Sequence, residues 1–320
     1  MDDASDLAEL LACPCDHKSP LVAQDGAFYC ADPACAHAVG GKPFSRVNGI
    51  PVLISFDHCD TICNEARYQA LETSFYVPRR QQNMASRLKK LLAGDSDVTL
   101  SNCARFLTEV RQNSARPKIL VIGSGTKGQG TNALWESSDI IRTGIDIYPS
   151  DTTDYIADAH YLPFRNESFD GVWIQAVLEH VADPNAVAEE IHRVLKPDGL
   201  VYAETPFMQQ VHEGAYDFQR FSVSGHRYLF RRFEQIAIGG NKGPGTVLAW
   251  AIRYFIWGLF RSRKVAVLLS YPFLMILRLA DRFTDKRALW DGPSGVFFLG
   301  RKSNVTIRQE SLPDLYRGFQ

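Results

Sequence analysis

The sequence predicts an open α/β domain built on a parallel sheet and preceded by a small cysteine-bearing module. Three observations carry this. Between Lys118 and Ile238, short β-branched runs alternate with stretches at helical spacing, the pattern of parallel strands covered by helices on both faces. The first of these runs enters a glycine-rich turn, Gly123-Ser124-Gly125-Thr126-Lys127-Gly128. Upstream, Cys13, Cys15, Cys30 and Cys35 account for four of the seven cysteines.

Taken in order, residues 1–55 are punctuated by Gly and Pro, and their short apolar runs suggest small β-structure, too little to fold on a core alone. Residues 56–116 read as a helical linker or lid, with one helix over Ala85–Leu92 ending at Gly94 and another near Asn102–Arg111 capped by Ser101. The third region, 117–320, carries expected strands at Lys118–Ile122, Thr143–Ile147, Gly171–Gln175, Leu200–Thr205 and Phe233–Ile238, with a final one at Gly295–Gly300. Its best-marked helix runs from Pro184 to Lys196, with Asp183 as N-cap and Pro184 in the first turn. Residues 241–293 form a helical insertion before the last strand.

Bulk composition narrows the function. With 35 basic against 36 acidic residues in 320, the chain lacks the positive field of a non-specific nucleic-acid binder, so a nucleic-acid partner is disfavoured. The acidic start, Met1-Asp2-Asp3-Ala4-Ser5-Asp6, is unlike a secretory leader, and a cytoplasmic location is expected. The longest apolar stretches, Thr246–Phe260 and Val265–Leu277, fall short of the roughly 20 apolar residues that cross a bilayer.

The segment from Lys118 to Gly130 is a buried strand entering a turn where missing Cβ atoms let backbone approach a ligand. Gly123, Gly125 and Gly128 satisfy G-x-G-x-x-G, a pattern shared by dinucleotide and adenosyl sites. The next strand ends in Asp146, a carboxylate placed to accept both ribose hydroxyls; its alternative role is a capping or solvated turn aspartate. Beyond it stand Asp158-Ala159-His160-Tyr161-Leu162-Pro163-Phe164, Phe169-Asp170-Gly171-Val172, Leu178-Glu179-His180-Val181 and Arg193-Val194-Leu195-Lys196-Pro197. In this order and spacing, Lys118 to Thr205 resembles the class I S-adenosylmethionine-dependent methyltransferases of the type 11 kind.

That resemblance implies a Rossmann-like sheet of seven strands whose last two form an antiparallel pair, with S-adenosylmethionine as cofactor. It places Gly123, Ser124 and Gly125 along the methionine side, Asp146 on the ribose and Ile147 against adenine. Asp158 and the Ala159 N–H would read the adenine edge, as a donor-acceptor pair requires, and Gln175 would face the cofactor. The family usually carries an acid two positions before the first turn glycine, where this chain has Val121.

Methyl transfer needs an aligned nucleophile and, for a hydroxyl acceptor, a proton acceptor. The loop after Thr205 contains His212, Asp217, Arg220 and Phe221, and resembles a loop of bacterial methyltransferases associated with glycan modification. His212 is the candidate base and Asp217 its orienting partner; the alternative is a structural Asp217–Arg220 pair with His212 merely exposed. His180 is expected as a helix-start or cofactor-adjacent residue, and His160 and His192 as surface or packing residues.

The N-terminal cysteines, with Asn48-Gly49-Ile50-Pro51-Val52-Leu53-Ile54 after them, resemble the zinc-ribbon related to the activator subunit of tRNA methyltransferases. The resemblance implies a structural Zn²⁺ held by Cys13, Cys15, Cys30 and Cys35, although their C-x-C and C-x-x-x-x-C spacings depart from the usual C-x-x-C knuckle. Cys59 and Cys63 are either substitute ligands or, with Cys103, packing thiols.

The insertion mixes Trp250, Tyr254, Phe255, Trp257 and Phe260 with Arg261, Arg263 and Lys264. Aromatic and basic residues beside short apolar helices suit peripheral contact of residues 244–280 with a membrane surface, and hence a lipid-linked glycan acceptor; packing on the sheet or on a second subunit is the alternative. Two other functions compete. One is a nicotinamide-dependent oxidoreductase using the glycine turn and Asp146. The other is a non-catalytic partner-binding protein whose donor site has decayed, as Val121 suggests.

Overall fold

The computed structural model describes residues 9–17, 19–69 and 96–320; the helix expected over Ala85–Leu92 lies outside them. Backbone contacts divide the chain into two units, one of Met1–Val177 with Asp183–Val201 and the other of Leu178–Ala182 with Tyr202–Gln320.

The first unit opens with two hairpins, β1 (Leu21–Gln24) with β2 (Ala27–Cys30) and β3 (Arg46–Val47) with β4 (Ile50–Pro51), both antiparallel. Each turns on a two-residue loop with both residues at positive φ, Asp25 and Gly26 at 50° and 78°, Asn48 and Gly49 at 50° and 81°. Asp-Gly and Asn-Gly tolerate this left-handed pair, whose twist matches the strands it joins. A short helix, α1 (Glu65–Gln69), and a long one, α2 (Asp97–Asn113), follow. Ser96, not Ser101, caps α2, accepting the Thr99 N–H at 3.4 Å. The helix starts earlier than expected because polar Thr99 and Asn102 share its buried face with Cys103, Phe106, Leu107 and Val110, which hides the apolar period.

Four strands follow in this unit: β5 (Lys118–Ile122), β6 (Ile141–Asp146), β7 (Tyr155–Ile156) and β8 (Phe169–Gln175). β5 pairs in parallel with β6 and β8, and β6 in parallel with β7. The β5 sequence is one apolar run because both faces of a central parallel strand are covered; Ile119 and Leu120 are fully buried. On one face, Phe106 of α2 meets Trp173 edge-on, ring centroids 5.5 Å apart. A Cβ at Gly171 would come within 2.7 Å of the Phe106 ring, so glycine sets how closely α2 approaches. α3 (Asn132–Glu136) links β5 to β6, and α4 (Pro184–Val194) follows β8. Asp183 caps α4, accepting from Asn185 and Ala186 N–H at 2.9 and 3.2 Å. The helix stops at Val194 rather than Lys196, because Leu195 already leads into β9 (Leu195–Pro206).

β9 runs from the first unit into the second, which adds α5 (Val223–Leu229), β10 (Phe233–Gly240), α6 (Pro244–Phe260), α7 (Arg263–Ala280), α8 (Ala288–Asp291) and β11 (Gly295–Lys302). β10 and β11 are antiparallel, as expected of the last two strands. The hydrogen-bonded order is β10-β11-β9-β8-β5-β6-β7, one mostly parallel seven-stranded sheet of an α/β fold. α6 and α7 pack on each other as the helical insertion. Asp281 closes their base by accepting the Gly245 and Thr246 N–H groups at 2.6 and 2.8 Å, a carboxylate at a helix start. Among the described residues, no helix is long and apolar enough to cross a membrane.

Candidate functional site

In the first unit, the turn after β5 and the end of β6 form one hydrogen-bonded assembly. Gly123 sits at φ 81°, and a Cβ there would overlap the Val177 side chain; glycine is therefore required for both reasons. The Gly123 and Ser124 N–H groups donate to the Ile145 carbonyl at 2.9 and 3.0 Å. Gly125 N–H donates to Asp146 Oδ2 at 2.7 Å, and Tyr148 N–H to Asp146 Oδ1 at 3.0 Å. The Asp146 carboxylate is buried, ionisable and anchored at the carboxyl edge of the sheet, where open α/β sheets place ligands. Gln175, which ends β8, folds against the same turn: its Nε2 donates to the Gln129 carbonyl at 3.3 Å, and a Cβ at Gly128 would overlap its Oε1.

Asp158 is 4% exposed and lies in a denser setting than expected. His160 donates to its Oδ1 from the backbone at 2.9 Å and through Nδ1 at 2.6 Å, and the Thr61 hydroxyl donates to Oδ2. Burial works to raise the Asp158 pKa, but the His160 and Thr61 bonds outweigh it and hold the carboxyl below its ordinary range. His160, expected as a surface or packing residue, is a direct partner of Asp158, and its Nε2 accepts the Asp183 N–H at 3.1 Å. Ile147 packs against a cluster formed by Val52, Ile54, Cys63, Tyr68 and Ile156, and the Tyr68 hydroxyl donates to the Ile147 carbonyl at 2.9 Å. Thr61 and Tyr68 carried no sequence signal; both reach this region because Val52 bridges Ile156, bringing the segment after β4 to the sheet edge. Ala159 is buried beside Asp158.

The N-terminal cysteines converge. Cys13, Cys30 and Cys35 have sulfurs mutually within 4.8 Å, and Cys35 Sγ lies 3.8 Å from both Cys13 and Cys15. A tetrahedral ion with bonds of about 2.3 Å to sulfur separates its ligands by about 3.8 Å, the spacing of both Cys35 contacts; the mutually close set is Cys13, Cys30 and Cys35, and the expected fourth ligand, Cys15, stands outside it. Backbone N–H groups of Asp32 and His37 donate to Cys30 and Cys35 Sγ, each at 3.4 Å. Cys59 and Cys63 are buried, with thiols pushed up to about 12 and about 11 chiefly by desolvation, the behaviour of packing cysteines; Cys103 is buried in α2.

In the second unit, Glu179, His180, His212, Asp217 and Arg220 come together. The 3₁₀ turn Leu178–His180 is stapled to the loop after β9: Phe218 and Gln219 N–H donate to the Glu179 carbonyl at 2.8 and 3.3 Å. Arg220 grips Asp217 through both terminal nitrogens, Nη2 lying 2.6 Å from Oδ2. That guanidinium holds Asp217 down to about 2, so it stays charged. Asp217 also accepts the His212 N–H at 2.9 Å and lies 3.3 Å from its Nδ1. The expected Asp217–Arg220 pair therefore exists, but His212 is not merely exposed: its Nε2 is 3.6 Å from Glu179 Oε1. Glu179, buried beside the His180 and His212 imidazoles, raises the His212 pKa against burial. Sequence reading missed Glu179, whose only signal was its place between Leu178 and His180.

Set against known proteins, the chain matches parts of several methyltransferases. It is 52% identical over 44 residues to a demethylmenaquinone methyltransferase of Lactobacillus johnsonii, covering 14% of this chain and 18% of that protein. It is 30% identical over 125 residues to the 27-O-demethylrifamycin SV methyltransferase of Amycolatopsis mediterranei, covering 33% and 46%. The chain thus spans less than half the length of these curated relatives. Among solved structures, the phosphoethanolamine N-methyltransferase 2 of Haemonchus contortus, in complex with S-adenosyl-L-methionine, aligns at 17% identity and a TM-score of 0.37, over 63% of this chain and 53% of that one. Residues 120–203, which hold the glycine turn, Asp146, Asp158 and Gln175, match the family described as a methyltransferase domain.

Proposed function

We propose that the protein is an S-adenosylmethionine-dependent methyltransferase. The observation that carries this is the match of residues 120–203 to a methyltransferase domain over the segment where Gly125 and Asp146 are hydrogen-bonded at the sheet edge. Gly123, Ser124 and Gly125 would line the methionine part, Asp146 would accept the ribose hydroxyls, Ile147 would pack on adenine, and Asp158 with Ala159 N–H would read its edge. Gln175 would close the turn side. When bound, the cofactor supplies an electrophilic methyl carbon on a sulfonium. The acceptor's lone pair forms the new bond as the carbon–sulfur bond breaks, its electrons returning to sulfur, and the acceptor's proton must leave.

His212 and Asp217 are the acceptor-side residues in this reading. Asp217, fixed by Arg220, takes the Nδ1 side of His212 and leaves Nε2 for acceptor chemistry. A glycan or lipid-linked acceptor is supported by the loop's resemblance and by the exposed apolar surface of α6 and α7. The N-terminal cysteines would hold a structural Zn²⁺.

Titration with S-adenosylhomocysteine and with NADH tests the assignment. A methyltransferase binds the first. Binding of NADH alone would instead make it a nicotinamide enzyme, and binding of neither a non-catalytic partner protein.

A further inference from the structure

Glu179 is 0% exposed, and neither of its carboxylate oxygens has a hydrogen-bond donor among the described residues. An ionised carboxylate so placed is strongly penalised unless a cation faces it. Among the described residues, the side chains within ion-pair range are two imidazoles, both aimed at the same oxygen: His180 Nε2 is 3.5 Å and His212 Nε2 3.6 Å from Glu179 Oε1.

The other nitrogen of each ring is already committed. His180 Nδ1 lies 2.7 Å from the Tyr216 carbonyl, which can only accept, so this nitrogen carries the proton. His212 Nδ1 faces the Asp217 carboxylate at 3.3 Å, and Asp217 is itself locked by Arg220. An imidazole whose Nδ1 proton is held by a carbonyl or carboxylate keeps its lone pair on Nε2, the tautomer that metal-binding histidines adopt through such partners. Ligand bonds of about 2.0–2.2 Å around a tetrahedral ion separate neighbouring ligands by about 3.3–3.6 Å, the spacing of each Nε2 from Glu179 Oε1. All three ligand atoms lie within 4.8 Å of one another.

We propose that Glu179, His180 and His212 bind one divalent transition-metal ion through Oε1 and the two Nε2 atoms, with Asp217 and the Tyr216 carbonyl as positioning groups. Two imidazoles and a carboxylate suit Zn²⁺, Mn²⁺, Fe²⁺ or Co²⁺, whereas Mg²⁺ prefers oxygen alone. This donor set contains no sulfur and is separate from the N-terminal cysteines. The His212 side chain is 29% exposed, giving the ion a path from solvent, and three protein ligands would leave the fourth position of a tetrahedral ion for another group. On the methyltransferase reading, and only on it, that position would take the acceptor oxygen and ease loss of its proton as a Lewis acid does.

Elemental analysis of the full-length protein decides this, after equilibration with excess Zn²⁺ or Mn²⁺ and removal of free metal, without donor or acceptor present. Wild type should retain one equivalent more than Glu179→Gln, and one more than His212→Gln, whose folding is checked by its metal-free melting transition. Asp217→Asn should keep the site but weaken it 10–100-fold. Added Mn²⁺ should raise the melting temperature of wild type and leave that of both ligand variants unmoved. Equal metal content in wild type and variants would overturn the proposal and leave Glu179 paired with a protonated His212, in which case Glu179→Gln melts below wild type with or without metal. Failure to bind S-adenosylhomocysteine would count against the methyltransferase reading while leaving the metal result standing.

Discussion

Gly125 N–H donates to Asp146 Oδ2 at 2.7 Å, which makes the turn after β5 and the end of β6 a single unit rather than two neighbouring features. Asp146 is thus charged with two tasks in the proposed site: holding the turn and accepting the ribose. Asp146→Ala should weaken S-adenosylhomocysteine binding by ~1.5–3 kcal/mol, the scale for losing a charged hydrogen-bond partner. Calorimetric titration of a folded variant with unchanged affinity would remove Asp146 from the site.

The Cys35 sulfur stands 3.8 Å from both Cys13 and Cys15. About one Zn²⁺ should co-purify with these thiolates, and Cys30→Ala should lose it. The predicted measurement is elemental analysis paired with circular dichroism; protein prepared without chelator and free of zinc would defeat the expectation.

His226 in α5 is fully buried, neither ring nitrogen has a hydrogen-bond partner among the described residues, and burial pushes its pKa down to about 3. The unfolded chain, with an ordinary histidine, binds a proton that the folded chain refuses. Stability should therefore fall as pH drops from 6.5 toward about 3, by about 1.4 kcal/mol per pH unit from this residue alone. Denaturant melts across that window should show a flatter acid limb for His226→Phe than for wild type.

Asp281 caps α6 from beyond α7, taking the Gly245 N–H, the Thr246 N–H and the Thr246 hydroxyl. Asp281→Ala should cost about 1–2 kcal/mol, as loss of a helix cap does, and lower the melting temperature. An unchanged melting temperature would show that the hairpin base contributes nothing.

Phe255, Leu259, Leu268, Ile276 and Phe283 are each more than 60% exposed on or just after α6 and α7, while Arg261 lies exposed at the end of α6 and Arg263 and Lys264 in the first turn of α7. Apolar side chains beside cations suit an anionic lipid surface. Wild type should sediment with anionic liposomes at low salt, and Trp257→Ser and Arg261→Glu should each reduce that fraction. A wild-type protein left wholly in the supernatant would exclude the contact.

Local periodicity made the sheet legible. Lys118–Ile122 reads as a buried parallel strand because its apolar run is covered on both faces, and the observed β5 has those same ends. The Asp183-Pro184 start of α4 was equally plain, since a cap and a first-turn proline act within four residues. The start of α2 was not, because Thr99 and Asn102 are buried polar residues on its inner face.

The sequence by itself determined the α/β class, the strand order of events along the chain, the glycine turn with its Asp146, and the candidate cysteines, because each depends on residues close together in the chain or on backbone demands of single positions. Only the tertiary structure decided that Thr61 and His160 hold Asp158, 97 and 2 residues away along the chain. It alone brought Glu179 and His180 to His212 and Asp217, since a loop stapled by backbone hydrogen bonds to a turn more than thirty residues upstream leaves no periodic trace. Hydrophobic patterning records which face of an element is buried; it does not record which polar groups that burial will force to meet.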